Sequence, residues 1–155
     1  MRIRVLAVGT RMPAWVTDGV GEYHKRLPRE FSVDWIEIPP AKRGSDKPAQ
    51  LKAKESHVIE RHLKAEERII ALDVGGKPVS TEDIARSFSD WQAEGGAAAI
   101  IIGGPDGIDA GLLQRADTRW SLGRVTLPHP LLRVILAEQL YRAWSINARH
   151  PYHRG

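Results

Sequence analysis

The chain has 155 residues, 42% of them apolar, no cysteine, and 23 basic against 19 acidic side chains for a formal charge of +4. That length leaves room for one domain, with about two-thirds of the unfolded chain's surface buried, and not for a second. The lack of cysteine excludes disulfides, iron–sulfur clusters and thiol catalysis, and the longest uninterrupted apolar run, Ala97 to Ile102, is far below the roughly 20 residues of a membrane span.

The opening residues, Met1-Arg-Ile-Arg-Val-Leu-Ala-Val-Gly9, are too broken by charge for a secretory leader and read as a strand over Arg2 to Val8, in a soluble cytoplasmic protein. Pro13 can open a helix, because its missing N–H costs nothing in the first turn, and Val16, Val20, Tyr23 and Leu27 then recur on one helical face. Phe31, Val33 and Trp35 alternate with polar residues before Ile36 and Ile38, giving a second strand stopped by Pro39-Pro40. Between Lys42 and Lys54 stand five Lys or Arg and one Asp. Gly44 and Pro48 make this a loop to about Pro48, and a polar helix follows to about Ala65.

Arg68 to Val74 is rich in Ile and Leu and reads as a third strand closed by Gly75-Gly76. Ser80 and Asp83 make a capping-box pattern, with Asp in place of Glu, for a helix from Thr81 to about Ala93. Ala97 to Ile102 has no polar side, as a central parallel strand requires. A short helix near Ala110 to Asp117 precedes a fifth strand over Arg124 to Leu127. Pro130 then opens a last helix in which Leu131, Val134, Ile135, Leu136, Leu140, Tyr141 and Trp144 leave few polar positions. So much apolar surface calls either for a second subunit or for a tightly enclosed core helix. Strands alternating with helices predict an α/β fold with a mostly parallel sheet flanked by helices, as a single unit over residues 1–155 without repeats or linkers.

Gly103-Gly104-Pro105-Asp106-Gly107 follows the central strand at the end where open α/β sheets bind ligands. Its glycines permit close approach of a ligand to exposed amides, although a bare turn would use the same residues. Neither this segment nor Gly75-Gly76-Lys77-Pro78 is a phosphate loop, since no Gly-Lys-Ser/Thr follows. Thr126-Leu-Pro128-His129-Pro130 aims His129 and a helix N-terminus above the sheet, a setting that favours an anion or carboxylate unless it is simply a proline-rich turn. The three histidines after Pro128 lack metal-ligand spacing, so no metal is expected. Arg142, Arg149 and Arg154 with Trp144 and Tyr152 supply guanidinium forks for phosphates and rings for unpaired bases, against the plainer reading of a frayed terminus. The Lys42-to-Lys54 stretch offers a second phosphate contact. A hydrolase on a doubly wound sheet would need a Gly-x-Ser-x-Gly turn, which is missing.

Leu72-Asp73, Ile102-Gly-Gly-Pro-Asp-Gly107, Leu127-Pro-His-Pro130, Tyr141-Arg-Ala-Trp144 and His150-Pro-Tyr-His-Arg154 resemble the RlmH type of SPOUT-class RNA methyltransferases. The resemblance spans essentially the whole chain, including the Val8-Gly-Thr10 turn and Ile38-Pro39 followed by Lys42-Arg43-Gly44. It implies S-adenosylmethionine-dependent methylation of N3 of a pseudouridine in 23S ribosomal RNA, with RNA or ribosome as substrate and no metal or membrane. It also implies a homodimer whose C-terminal part forms a deep trefoil knot, which periodicity does not show and general topology disfavours. By matching positions, Leu72, Gly103, Gly104, Gly123, Arg124, Val125, Thr126, Leu127 and Pro128 would form the cofactor pocket, and Arg142, Tyr152, His153 and Arg154 would face the RNA. Gly123-Arg124 departs from the small or polar residues expected there. The implied chemistry is an in-line attack needing close alignment, with His129 or His153 accepting the imino proton and Arg142 stabilising the anion. The competing reading is a basic RNA- or ribosome-binding module without chemistry, in which the glycine turns are purely structural.

Overall fold

Along the first strand, alternation sends Ile3, Val5 and Ala7 into one apolar cluster and Leu6 and Val8 into another, and these two clusters fill the two faces of a single sheet. The structure, a computed structural model, describes residues 1–154. Its strands are β1 (Arg2–Val8), β2 (Ser32–Ile38), β3 (Arg68–Pro78), β4 (Ala97–Ile102) and β5 (Thr118–Ser121), in the order β2-β1-β4-β3-β5. Every pairing is parallel, so all five C-terminal strand ends lie along one edge of the domain.

Helices α1 (Ala14–His24), α2 (Pro48–His62), α3 (Thr81–Ala93) and α4 (Ala110–Arg115) make the four crossovers. Ile59 of α2 and Leu112 of α4 belong to one apolar cluster, while Ile84, Ala85 and Phe88 of α3 belong to the other. The final helix α5 (His129–Asn147) lies on the α3 face, packed between α1 and α3. Two side-chain bonds fasten it to α3: Thr81 Oγ1 donates to Gln139 Oε1 at 2.6 Å, and Asn147 Nδ2 donates to the Ala85 carbonyl at 2.8 Å. The Ser80–Asp83 capping box forms as the sequence predicts, each side chain accepting from the other residue's backbone N–H at 3.0 Å. Phe88, Trp91 and Trp120 close the end of that face, with the two indoles stacked at 5.9 Å between centroids.

Two expectations fail at the β5 side. The fifth strand is Thr118–Ser121, not Arg124 to Leu127. Trp120 and Ser121 are buried and pair with β3, whereas Val125 is 73% exposed and its segment makes no ladder. A polar four-residue strand with one large apolar side chain carries too little alternation to be seen beside the more apolar Val-Thr-Leu. The third strand also does not stop at Gly75-Gly76. It loses register after Leu72 and regains it at Lys77 and Pro78, bowing out across the glycines between two stretches of pairing with β5. Smaller differences are helix ends: α2 stops at His62, α4 at Arg115, and Leu27 falls beyond α1. No helix among the described residues is long and apolar enough to cross a membrane.

Candidate functional site

A cavity of about 130 Å³ opens at the C-terminal tips of β3 and β5. Leu72, Asp73 and Val74 form one wall, the segment after β5 supplies Leu122, Gly123, Val125, Thr126 and Leu127, and α5 contributes Leu132. The loop starts from a fixed point, because the buried Ser121 hydroxyl donates to the Gly123 carbonyl at 3.1 Å and accepts from the Gly123 N–H at 3.3 Å. Gly123 has φ +136°, a conformation a side chain would strain. Val74 and Val125, 80% and 73% exposed, flank the opening and leave apolar surface uncovered on both sides. Trp120 forms the floor.

Gly103 and Gly104 stand beside this cavity without lining it. Ile102 pairs with Leu72, so the glycines leave the sheet next to the β3 tip. The segment then closes on itself, with the Gly107 N–H donating to the Gly104 carbonyl at 2.9 Å. A Cβ on Gly103 would meet Ile108 Cγ1 at 2.7 Å and the Gly107 carbonyl at 2.8 Å, so that turn tolerates no side chain. Arg124 and Pro128 belong to the loop but not to the cavity wall. A larger groove of about 590 Å³ runs between α1 and the edge strand β2. Volume does not select the site, since that groove has neither a glycine turn nor a loop of exposed backbone at a strand tip.

His129 begins α5, but its ring turns away from the cavity toward the end of β1. Its Cε1 is 3.5 Å from where a Gly9 Cβ would stand, and its Nε2 is sealed from solvent without a partner. Burial, reinforced by the Arg133 charge, holds its pKa below the ordinary histidine value, so the imidazole is neutral near pH 7. Arg133, one turn on, is itself buried. It donates to Glu37 Oε2 at 2.7 Å and to the Gly9 carbonyl at 2.8 Å, joining α5 to the ends of β1 and β2. Sequence reading did not find this clamp, although a lone arginine in an apolar helix is a signal for a buried pair.

The other predicted residues gather at the far end of α5. Arg142 Nε donates to Glu138 Oε1 at 2.6 Å, its guanidinium sits 4.9 Å from the Tyr152 ring centre, and the Tyr152 hydroxyl reaches the same carboxylate oxygen at 3.3 Å. Burial first, then the Glu138 charge, pushes the Tyr152 phenol up to about 12. Tyr152 also meets Tyr141 edge-on at 4.5 Å, so the 3-10 turn Pro151–Arg154 is folded back on α5 and not frayed. His153 Nδ1 faces the His150 carbonyl, which assigns the proton to Nδ1 and leaves Nε2 as acceptor. Arg154 is exposed. Glu138 was missed by the sequence reading despite its i,i+4 spacing to Arg142. Leu132 lines the cavity and Arg142 stands ten residues further along the same helix, a rise on the order of 15 Å.

Residues 1–153 match the family described as "Predicted SPOUT methyltransferase". The chain is 54% identical to "Ribosomal RNA large subunit methyltransferase H" of Chromohalobacter salexigens and 51% identical to the protein of that name from Saccharophagus degradans. A third, from Marinomonas sp., is 46% identical. In each case 99% of this chain and 100% of the relative are covered.

Proposed function

The chain belongs to the SPOUT methyltransferase family, and from that premise we propose that it methylates N3 of a pseudouridine in 23S ribosomal RNA of the large subunit, with S-adenosylmethionine as donor. The observation that carries the reading is the apolar cavity at the strand tips, closed by a loop whose backbone is held open by Ser121 and Gly123.

The residues present fit this cofactor. Apolar walls of Leu72, Val74, Val125 and Leu127 suit a purine, and the backbone of residues 123–128 suits its polar edge. The cavity lies below the ~300 Å³ lower end of small-molecule pockets, so only part of the cofactor enters it and the rest lies against the loop and the Gly103-Gly104 turn. S-adenosylmethionine supplies an electrophilic methyl group on a sulfonium centre. The chain's contribution is alignment and exclusion of water, which favours a step in which charge is neutralised. Arg142 stabilises the anion formed when N3 loses its proton. His153 is the better base of the two histidines, since its Nε2 is set to accept while the His129 Nε2 is sealed. Tyr152 and Arg154 hold the RNA beside it.

A homodimer in which the tail of one α5 lies near the cavity at the start of another is the assembly that goes with this reading. Trp15 on α1 and Leu131 on α5, 54% and 36% exposed, support that interface. The trefoil knot is supported by the way the segment leading into α5 runs along the bowed-out stretch of β3. The cytoplasm, where ribosomes are, is the expected location.

The deciding experiment incubates the protein with labelled S-adenosylmethionine and ribosomes and maps the modified nucleotide. One labelled pseudouridine in 23S RNA is expected, and no transferred label would overturn the reading. A chain that binds RNA but gives no heat with S-adenosylmethionine is instead a binding module.

A further inference from the structure

The stretch between Lys42 and Lys54 folds against the Gly103–Gly107 turn through two carboxylates. Arg43 donates to Asp106 Oδ2 at 2.7 Å, inside that turn. Glu55, buried on α2, accepts from the Ala41 N–H at 3.0 Å, and its Oε1 is 3.2 Å from where a Gly104 Cβ would stand. The basic segment is therefore pinned to the strand-tip edge next to the cavity, on the sheet face opposite α5.

The Arg43 and Lys54 pairs anchor the segment, but gathering further lysines beside them opposes folding through mutual repulsion. Among the described residues, Arg43 and Lys54 have acidic partners, Asp106 and Asp46, while Lys42, Lys47 and Lys52 form no ion pair. Lys42 and Lys54 flank a cleft of about 270 Å³, and Lys52 reaches the crevice lined by Gly103 and Gly107. Lys47 is the N-cap of α2, the end of a fifteen-residue helix whose free amides favour anions.

We propose that Lys42, Lys47 and Lys52 form a phosphate-binding track for the ribosomal RNA backbone on the chain that holds the cofactor. This rests on the function proposed above and divides the labour: the tail of a second copy faces the base, while this track grips the backbone beside it. A polyanion running over the strand tips meets all three ammonium groups, and point charges without a planar fork suit sequence-independent contact with phosphate.

The test compares the wild-type protein with the triple variant Lys42→Gln, Lys47→Gln, Lys52→Gln in binding to purified bacterial ribosomes across a potassium chloride series. All three side chains lie at the surface or only half-buried, and calorimetry with S-adenosylmethionine on the same preparations checks that the variant is folded and cofactor-competent. The expected result is affinity at least about tenfold weaker and a log–log salt slope shallower by about 2, with cofactor affinity unchanged. Unchanged slope and affinity in a cofactor-binding variant would overturn the track. Wild-type protein that shows lysine-dependent ribosome binding yet transfers no methyl group would uphold the track and remove the methyltransferase reading, so the two fail separately.

Discussion

The two ends of α5 are built from different materials. At its start, apolar side chains and a glycine-anchored loop form the cavity, and a buried clamp stands beside it; Arg133 is 4% exposed and spans β1, β2 and α5. At its end, the Glu138–Arg142–Tyr152 group is made of partly buried side chains held to one another by hydrogen bonds. The difference teaches where rigidity is placed. On the proposed function, the cofactor would meet a loop anchored by Ser121 and Gly123, and the RNA would meet charged groups nearer the surface.

If that contrast is right, the largest stability effect lies at the clamp. Glu37→Leu leaves the Arg133 charge buried without its partner and is expected to cost about 3 kcal/mol, the lower end for such a loss because the carboxylate is itself 42% exposed. Arg133→Met removes the charge as well and costs less, about 1–3 kcal/mol for the orphaned Gly9 carbonyl. Urea unfolding of the two variants checks the order, and the reverse order would mean that Arg133 acts as packing and not as a charge clamp. Next comes Gly103→Ala, whose Cβ would press on the Gly107 carbonyl and Ile108. It is expected to lose about 2 kcal/mol of stability. Cofactor affinity should fall about tenfold with it, equivalent to about 1.4 kcal/mol, as calorimetry would read.

The same contrast explains what was legible in the sequence. Strands with long apolar runs, such as Ala97–Ile102, and the capped helix α3 stand out because period and capping chemistry are local. Thr118–Ser121 did not, because its place in the sheet comes from β3 pairing and from the Trp91–Trp120 stack, which are tertiary. In the loop 123–128, the Thr126-to-Pro128 turn stood out by its prolines, while Gly123, Arg124 and Val125 were named as pocket residues only through the family resemblance, and Arg124 and Pro128 do not line the cavity. His129, named as a candidate base, is turned toward Gly9 by helix geometry that no spacing rule contains.

At the far end of α5 the expected effects are smaller and chemical. Glu138→Gln weakens the bonds from Arg142 and Tyr152 and is expected to cost about 1 kcal/mol. It should also bring the Tyr152 phenol down from about 12 toward the usual ~10, read by ultraviolet titration. The sign follows from the raised value: the stabilisation from Tyr152 is complete below about pH 10 and is lost as pH rises through about 12. An unchanged titration would mean that burial alone sets the phenol and that Glu138 does not organise the tail.

The smallest effect expected is at His129. Its pKa is held down by burial and by Arg133, so the unfolded chain takes up a proton at a higher pH than the folded one. The stabilisation it contributes is therefore present above about pH 6.5 and is lost as pH falls through the lowered folded value. His24, also lowered by burial, acts over the same range, so the informative quantity is the difference between wild type and His129→Gln. Between pH 5 and 7.5, ~8 points of urea unfolding should show the variant losing less stability on acidification. Parallel curves would mean that the ring is as solvated folded as unfolded, and the objection to His129 as the base would vanish. The complementary measurement is the pH profile of methyl transfer. Methyl transfer should be largely lost with His153→Ala, while rate and pH dependence should be kept in His129→Gln, because the His129 Nε2 is sealed from solvent.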